Sequence, residues 1–516
     1  AKHPVPSKAK FLKSLTDRHF SLILTLFHTF VFLPKPTYLF DYLTAIDAKS
    51  AICEGHYVDR HYLDDFAQYY SRSFNAPVSY CQRIHFFSVE ANALDEQFYR
   101  SCVGIEERGE VEQELGRHYL GFVVIRPLQG AKVGRAVLKT YPLDGLRKYT
   151  VVKPYRVHLA GLRFSVDGLA YQEQDQGTAV CASIALWSAL QRVAYVSGHR
   201  TPTPSAITKA AQSPLPASSG LNDSQMATAL NSLGYLADLF VPAENRSQFR
   251  AKVVACLESQ LPVILLLSQK QLTGAGEVTV GHAVAVNGFR QSKNIVEVPT
   301  SVPEISPVRM QSGSLEVVYV HDDNLGPYAH YELFDVDDQD SEGHKLLRLR
   351  RGRTDKESPE WWSIDEWTVY AALVPKNEKM RLPIEELFSN LLEIRRLTEF
   401  IFQGLELHYG VRFSSGVEYK RSLFGLSFDP KALRQFLSEL TLPRYIGVVQ
   451  VNSEDKHLCD AILDISEVNR GFPSILGFVA PGVPENSVAW QRLFQVAQYL
   501  NQQDLKCPLL TAISTL

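Results

Sequence analysis

The chain has 516 residues, of which 45% are hydrophobic and 21% charged, a composition that can build well-packed cores. At roughly 150 residues per domain, this length predicts about three domains. The 53 basic and 56 acidic residues give a formal net charge of −3. Nucleic-acid-binding domains usually carry a large basic excess, so this balance argues against a nucleic-acid partner.

The most apolar stretch of the chain is residues 20–33, with the sequence FSLILTLFHTFVFL. It is too short to span a bilayer comfortably. Lysines precede it, as they do in a signal peptide, but no small-residue cleavage site follows. We therefore expect a buried helix or a pair of strands without stable membrane insertion, with export or membrane anchoring as the alternative.

Cysteine usage bears on the compartment and on metal binding. The seven cysteines are widely spaced, and no CxxC pair occurs among them. This pattern predicts neither a disulfide framework nor a structural zinc site. We therefore expect free thiols in a reducing, cytoplasmic setting, and no metal or other cofactor.

The predicted elements fall into three regions, residues 1–145, 146–377 and 378–516. The first is a mixed α/β region of unknown role, and its strongest strand signal is residues 119–127. The third is an α+β region that begins and ends with a helix, at residues 384–400 and 490–500. Between those helices we expect strands at residues 445–451, 461–465 and 475–479.

The middle region opens with two strands, at residues 155–162 and 164–170. Apolar residues then recur at helical spacing from Cys181 onwards, in CASIALWSALQRVAYV. Asn222 or Asp223 can cap a second helix that ends at Gly234. A third helix is predicted at residues 249–257. Four strands are predicted at residues 262–267, 282–289, 315–320 and 367–374. Helices followed by a run of strands favour an α+β fold with an antiparallel sheet over a doubly wound α/β fold.

Cys181 opens its predicted helix directly after a polar turn. A thiol at a helix N-terminus feels the positive end of the macrodipole, which favours the nucleophilic thiolate. The turn contains Gln172, Gln174 and Gln176. A glutamine amide placed there can donate to the oxyanion of a tetrahedral intermediate, together with the backbone N–H of Cys181. We therefore predict Cys181 as a nucleophile, with Gln174 and Gln176 as the candidate oxyanion donors.

A matching base and acid follow later in the chain. His282 begins a predicted strand, and Asp322 and Asp323 come just after the next one. A base at the start of one strand and an acid past the end of its antiparallel neighbour can meet and form a triad with Cys181. Because successive strand residues face opposite sides, we expect one aspartate to face His282 and the other to face away, and we favour Asp322.

These segments resemble papain-like cysteine peptidases, and within them the peptidase family 39 branch, whose members cleave leader peptides. Its active-site segment is similar to QEQDQGTAVCASIALWSAL, its histidine strand to GHAVAVNGF and its aspartate segment to VYVHDDNLGPY. GLNDSQMATALNSLGY and LPVILLL resemble its intervening helix and strand. The resemblance covers residues 146–377. It implies a papain-like domain, a helical part plus an antiparallel sheet, with Cys181, His282 and Asp322 or Asp323 as the catalytic triad.

Two positions depart from the family pattern. The family usually has glycine directly after the cysteine, where this chain has Ala182. It usually places the oxyanion glutamine at the position that is Asp175 here, between Gln174 and Gln176. Either glutamine therefore fits only with a small insertion or deletion.

The sequence thus predicts a cysteine peptidase that cleaves a peptide or isopeptide bond of a protein or peptide substrate through an acyl-enzyme. An acyltransferase of the transglutaminase type would use the same residues with a different acceptor. The two departures favour a third alternative, a catalytically inactive protein-binding module. The flanking regions would select the substrate, and the sequence indicates no particular oligomeric state.

Overall fold

The computed structural model describes residues 34–102, 108–175, 177, 180–215, 220–242, 245–273, 276–291, 295–299, 306–310, 314–339, 345–351, 366–424, 430–466, 475–481, 483–484, 487–502 and 509–510. The apolar stretch at residues 20–33 lies outside the described residues. Across the described ranges the chain is mixed α+β with predominantly antiparallel sheets, as predicted. None of the described helices is both long enough and apolar enough to cross a membrane.

The first region is built on a four-stranded antiparallel sheet. It contains helices α1 (Pro34–Ala45), α2 (Arg60–Gln68), α3 (Ala91–Cys102) and α4 (Arg108–His118), and strands β1 (Ser50–Tyr57), β2 (Cys81–Phe87), β3 (Tyr119–Ile125) and β4 (Val133–Leu138). The strands pair in the order β1-β2-β3-β4. Every residue of β3 is buried, which explains the strong strand signal of this uninterrupted apolar run.

A hairpin connects this sheet to the middle region. After the short β5 (Arg147–Lys148), strands β6 (Lys153–Leu159) and β7 (Leu162–Gly168) pair with each other and bury alternate residues. The two turn residues, Ala160 and Gly161, have φ of 47° and 83°. Positive φ at both positions is what a two-residue type I′ turn requires.

The helices of the middle region precede its large sheet. They are α5 (Cys181–Ser197), α6 (Pro204–Ala210), α7 (Asp223–Ser232) and α8 (Arg246–Glu258), with β8 (Tyr235–Phe240) before the last of them. Helix α5 is buried along most of its length and ends at Gly198, whose φ of 73° forms a left-handed cap. Asn222 and Gln225 form a capping box at the start of α7, which confirms the predicted cap.

Six strands of the middle region close into an antiparallel barrel. The strands after α8 are β9 (Val263–Thr273), β10 (Gly276–Gln291), β11 (Val296–Val298), β12 (Val308–Met310), β13 (Leu315–Asp322), β14 (Gly326–Gln339), β15 (Lys345–Arg351) and β16 (Glu366–Asn377). The barrel order is β13-β14-β15-β16-β9-β10, and β10 pairs again with β13. Closure leaves these six strands without a free edge, while β5 and β8 extend the sheet beside β10 and β16. Helix α5 packs on β10 and β16.

Two predicted strand limits are wrong near the residues of interest. His282 does not begin its strand, because β10 starts at Gly276. Residues 276–281 are mostly exposed, and their alternating segment GEVTVG contains only two apolar residues, Val278 and Val280, so the apolar run that begins at His282 stood out instead. Asp322 is the last residue of β13 instead of lying beyond its end.

The third region forms a seven-stranded sheet that takes two strands from the middle region. Its elements are α9 (Ile384–Ile401), β17 (His408–Ser415), α10 (Gly416–Leu423), α11 (Pro430–Glu439), β18 (Tyr445–Ser453), β19 (Lys456–Asp464), β20 (Ile475–Val479), α12 (Val488–Gln502) and β21 (Leu509–Leu510). The sheet order is β11-β12-β17-β18-β19-β20-β21, with β12 parallel to β17. The chain therefore leaves the barrel after β10, adds β11 and β12 to this sheet, and returns to form β13.

A buried ion pair lies where the barrel meets the third region. Lys376 Nζ on β16 is 2.7 Å from Asp238 Oδ2 on β8, and both side chains are buried. Lys376 also donates to the carbonyl oxygen of Leu382, and the backbone N–H of Ile384 donates to Asp238. Both charges are therefore compensated, and the pair holds the start of α9 against the barrel.

Replacing one partner of this pair should be strongly destabilising. Asp238→Ala leaves the Lys376 ammonium buried without its counter-charge, so we expect the free energy of unfolding in urea to fall by about 3–5 kcal/mol. Arg396→Ala is the control, because its ion pair with Glu393 is exposed and should contribute less than about 1 kcal/mol. Equal losses for the two variants would contradict this account of the junction.

Candidate active site

Cys181 is the first residue of α5 and is half-buried, while the next residue, Ala182, is buried in the core. The residue before the helix, Val180, provides no side-chain cap. The first N–H groups of a helix have no partner within it, so they stay available to a negative charge at this end. The half-buried thiol therefore lies at the edge of the hydrophobic core, at the N-terminal end of α5, which is the positive end of the helix dipole.

His282 is the buried partner of this thiol. His282 Nε2 lies 3.0 Å from Asp322 Oδ1, and the Cys181 side chain is near enough to affect the pKa of the imidazole. Burial alone would lower the pKa of His282, but the charge of Asp322, the hydrogen bond with Asp322 and the nearby Cys181 side chain outweigh it. The pKa is held well above the ordinary value of 6.5. The surroundings of His282 therefore stabilise its charged form.

The register of the barrel explains why His282 and Asp322 meet. In the β10–β13 pair, Ala285 lies opposite His321. Continuing this register by one residue places Val284 opposite Asp322, and His282 is two residues further along β10. Side chains two residues apart share a face of the sheet, so His282 and Asp322 are diagonal neighbours.

The Asp322 carboxylate accepts three hydrogen bonds. In addition to His282, the Tyr331 hydroxyl donates to Oδ2 at 2.6 Å and the backbone N–H of Asn324 donates to Oδ1 at 2.9 Å. Burial would raise the pKa of Asp322, but the charge of His282 and these hydrogen bonds lower it to about 2. Asp322 is therefore a fixed carboxylate that can orient and charge-stabilise the imidazolium.

Asp323 also approaches His282, contrary to the expectation that it would face away. Its Oδ1 lies 3.7 Å from His282 Nε2, and the side chain is buried. The alternation of strand residues fails here because β13 ends at Asp322 and a turn begins, in which the Leu325 N–H donates to the Asp322 carbonyl. Asp322 remains the nearer carboxylate and the one hydrogen-bonded to the imidazole.

Three aromatic residues that the sequence analysis missed complete the site. Tyr331 supports Asp322, and the ring of Trp367 lies 5.2 Å from that of His282. Tyr370, on the same strand as Trp367, is 42% exposed. Its pKa is raised by burial and, to a smaller extent, by the charges of Asp223 and Cys181. These residues reach the site only through barrel pairing, and no local motif marks them.

The structure separates the glutamines of the preceding turn. Gln174 Nε2 donates to Asn324 Oδ1 at 3.1 Å, which ties this turn to the turn that carries Asp323. Gln172 is buried, and its Nε2 has no hydrogen-bond partner within the described ranges. Gln176 lies outside the described residues. The described geometry therefore places Gln174 beside the carboxylate turn, where its amide is already engaged.

Asp175, at the position where the family has glutamine, has a structural role. Its Oδ2 is 3.2 Å from Arg126 Nη1, and its Oδ1 accepts the backbone N–H of Gly177. Both side chains of the ion pair are buried. A carboxylate held in this way cannot donate to an oxyanion, so that function needs another group.

His282, Asp322 and Asp323 also satisfy the donor geometry of a metal site, because one ligand atom from each lies within 4.8 Å of the others. Two carboxylates and an imidazole could hold a divalent cation. However, His282 Nε2 is already hydrogen-bonded to Asp322, so a metal ion would have to displace that hydrogen bond. Beside Cys181, an imidazole held by a carboxylate can also serve a thiol as base and orienting acid.

The His282–Asp322 pair should make stability depend on pH in a defined window. Because folding lowers the pKa of Asp322, its carboxylate stabilises the folded state above pH 3.8, the ordinary pKa of an aspartate. This contribution is lost as the pH falls towards about 2. Because folding raises the pKa of His282, its imidazolium stabilises the folded state below pH 6.5, the ordinary pKa of a histidine. This contribution is lost as the pH rises through the pKa that His282 has in the folded state. Both contributions are complete only between these two ordinary values.

We therefore expect Asp322→Asn to lower the free energy of unfolding most between pH 3.8 and 6.5, by about 3 kcal/mol or more. The loss should shrink at alkaline pH, where the imidazole becomes neutral. Urea unfolding across a pH series measures it. Asp323→Asn is the matched control and should cost less, since its carboxylate is further from His282. A loss that does not change with pH would contradict the ion pair.

Comparison with known proteins assigns no family to this chain. No family model matches it, and no curated protein matches it either. The function is therefore inferred from the geometry of this site and from the resemblance of its segments.

Proposed function

We propose that the chain is a papain-like cysteine peptidase that hydrolyses a peptide or isopeptide bond of a protein or peptide substrate. Cys181 is the nucleophile, His282 the general acid and base, and Asp322 the residue that orients the imidazole. The observation that carries this proposal is the buried His282 imidazole, which is hydrogen-bonded to Asp322 and interacts with the Cys181 side chain at the start of α5. A free thiol nucleophile suits a reducing compartment, and we place the protein in the cytoplasm.

The protonation states suit this chemistry. A thiolate paired with an imidazolium is the reactive form of a cysteine nucleophile. The buried Asp322 carboxylate favours the charged imidazole, and the N-terminus of α5 favours a negative charge on the thiol. The surroundings of the imidazole therefore favour its charged form, and the half-buried sulfur of Cys181 is the atom that the substrate must reach.

The first half of the reaction forms an acyl-enzyme. The Cys181 thiolate attacks the carbonyl carbon, a C–S bond forms, and the carbonyl electron pair moves to oxygen. When this tetrahedral intermediate collapses, the C–N bond breaks and the His282 imidazolium gives its proton to the departing amine. The product is a thioester on Cys181 beside a neutral imidazole.

The second half releases the acid product. The neutral His282 takes a proton from a water molecule as that water attacks the thioester carbonyl. Collapse of the second intermediate breaks the C–S bond, so the thiolate and the imidazolium are regenerated. Asp322 does not transfer a proton in either half, because it serves to hold the ring and stabilise its charge.

The oxyanion needs donors that are fixed before reaction. The backbone N–H of Cys181, at the uncapped start of α5, is one such donor. Gln174 donates to Asn324, so it serves this role only if that hydrogen bond is exchanged in the substrate complex. Gln172 and Gln176 are the other candidates, and the buried amide of Gln172 has no competing partner within the described ranges.

The fold around the triad supports a papain-like assignment. A helix that begins with the nucleophile packs on an antiparallel barrel, and neighbouring strands of the barrel carry the base and the acid. The resemblance of the sequence segments to peptidase family 39 implies the same division of roles. Trp367 beside His282 would shield the imidazole from water, which strengthens its interaction with Asp322.

Cys181 should be the most reactive cysteine of the chain. At about pH 6 we expect iodoacetamide to label Cys181 rapidly, because its thiolate is paired with an imidazolium. The controls are internal, since burial raises the pKa of Cys81 to about 12 and also raises those of Cys256 and Cys459. Peptide mapping by mass spectrometry locates the label.

His282→Ala should slow labelling of Cys181 at this pH by about 10-fold or more, since each unit of lost thiolate stabilisation is a factor of 10. Labelling of the three buried cysteines should not change. If Cys181 reacted no faster than Cys81 in the unmodified protein, the peptidase assignment would be wrong. The inactive binding module would then be the better description.

Substitutions in the triad should abolish hydrolysis. Peptides obtained by digesting cell protein can be incubated with the chain, and the new termini that it produces can be identified by mass spectrometry. Cys181→Ala and His282→Ala should each reduce the rate at which these termini form by about 10³-fold or more. The double variant should be little worse, because the two residues act as a unit. Asp322→Asn should retain more activity than either, and Asp323→Asn more still.

The same assay separates hydrolysis from acyl transfer. With a primary amine such as a dansylated cadaverine present, a peptidase gives free carboxyl termini, whereas a transglutaminase-type enzyme gives the amine adduct. Insensitivity to EDTA distinguishes the thiol mechanism from use of His282, Asp322 and Asp323 as metal ligands. Wild-type turnover by Cys181→Ala would refute the mechanism.

A further inference from the structure

A cavity of about 900 Å³ lies between the far end of α5 and the third region. It is lined by the last turns of α5, the turn after α8, the junction of β17 with α10, and residues 438–445. Cys181 does not line it, and the eleven-residue separation from Arg192 along α5 corresponds to roughly 16 Å at 1.5 Å per residue. The cavity is therefore a second concave site, separate from the candidate triad.

The charges around this cavity are mainly positive. Its cationic side chains come from both regions and are Arg192, Arg412, Lys420 and Arg444. Its acidic side chains are Glu258 and Glu418, and each is paired with a cation that does not line the cavity. Glu258 Oε1 lies 2.6 Å from Lys148 Nζ, and Glu418 Oε1 lies 3.1 Å from Arg421 Nη1. Glu418 also interacts with Arg192 at longer range. Most of the positive charge of the cavity therefore lacks a counter-charge.

Two of the guanidinium groups have unused donors. Arg192 Nε and Arg412 Nε are buried, and neither has a hydrogen-bond partner in the described part of the chain. Arg192 uses another nitrogen to donate to Gln260, and Lys420 donates to the Leu437 carbonyl. Within the same ranges none of the four cations forms an ion pair. The positive charge of these four side chains is therefore available to an anionic ligand in the cavity.

Other features of the lining complement the arginines. Helix α10 begins at Gly416 in the cavity wall, where the Ser415 side chain accepts the Glu418 N–H and the other first N–H groups of the helix have no partner within it. Val193, Val196 and Phe413 contribute an apolar part of the lining. The volume lies within the range of small-molecule and cofactor sites. A ligand with a multiply charged anionic group and an apolar body would match all of these features.

We infer that this cavity binds a small organic phosphate between the end of α5 and the third region. Phosphate oxygens accept hydrogen bonds from the forked N–H groups of guanidinium, and Arg192, Arg412 and Arg444 all line the cavity. The dianionic charge offsets the excess of cations, and the apolar lining accommodates the rest of the molecule. The inference is independent of the proposed peptidase activity, because it uses none of the triad residues.

The test uses the full chain and three probes, inorganic phosphate, pyrophosphate and ATP, in buffers matched in ionic strength with potassium chloride. Calorimetry and thermal unfolding should show binding and a raised Tm, with ATP or pyrophosphate bound more tightly than phosphate. Arg412→Gln and Arg192→Gln should each weaken binding by about 10-fold or more, as expected for loss of a hydrogen bond to a charged group. Arg434→Gln, an exposed arginine outside the lining, is the control and should bind as the unmodified chain does.

A second readout separates ligand binding from a structural role of the arginines. Because the cavity carries unbalanced positive charge, Arg412→Gln should keep or raise the Tm without probe while losing the probe-dependent increase. Lys420→Gln gives the same test if the arginine variants do not fold. The inference is overturned if no probe binds beyond the chloride control at millimolar concentration. It is also overturned if affinity is unchanged in the Arg412, Arg192 and Lys420 variants.

Discussion

The pairing of β10 with β13 is the constraint on which the rest of the structure depends. It closes the barrel, and its register places His282 and Asp322 on one face, two residues apart along the strands. A slip of one residue would turn one of the two side chains to the opposite face. Closure leaves neither strand with a free edge along which to slip, so the ion pair is held by backbone hydrogen bonds as well as by its own contacts.

The first region also determines the geometry of the candidate site without supplying a reacting group. Arg126, just beyond β3, forms the buried ion pair with Asp175 and donates to the Glu173 carbonyl. Both partners belong to the turn that leads to Cys181. Asp65, on α2, lies close enough that burial and the charge of Asp175 raise its pKa to about 8. The turn before Cys181 is thus anchored to the N-terminal region through Asp175 and Glu173.

The third region is joined to the barrel at two places. Strands β11 and β12 lie between β10 and β13 in the chain, yet they complete the C-terminal sheet. The Lys376–Asp238 pair secures the other connection, at the start of α9. The strands that carry His282 and Asp322 are therefore linked through a segment of that sheet. The three regions read from the sequence share strands and buried charges, so a boundary drawn in the chain does not separate them in space.

The sequence by itself determined the local features: the helix that begins at Cys181, the presence of strands at 282–289 and 315–320 without their exact limits, and a cap at Asn222 or Asp223. Each depends on the spacing of apolar residues or on one capping side chain, and both are local in the chain. Only the tertiary structure decided that six strands close into a barrel, that both Asp322 and Asp323 reach His282, and that Asp175 is structural. Tyr331 and Trp367 likewise joined the site through pairing between distant strands. Such pairings depend on which surfaces can be buried together, and no window of the sequence contains that information.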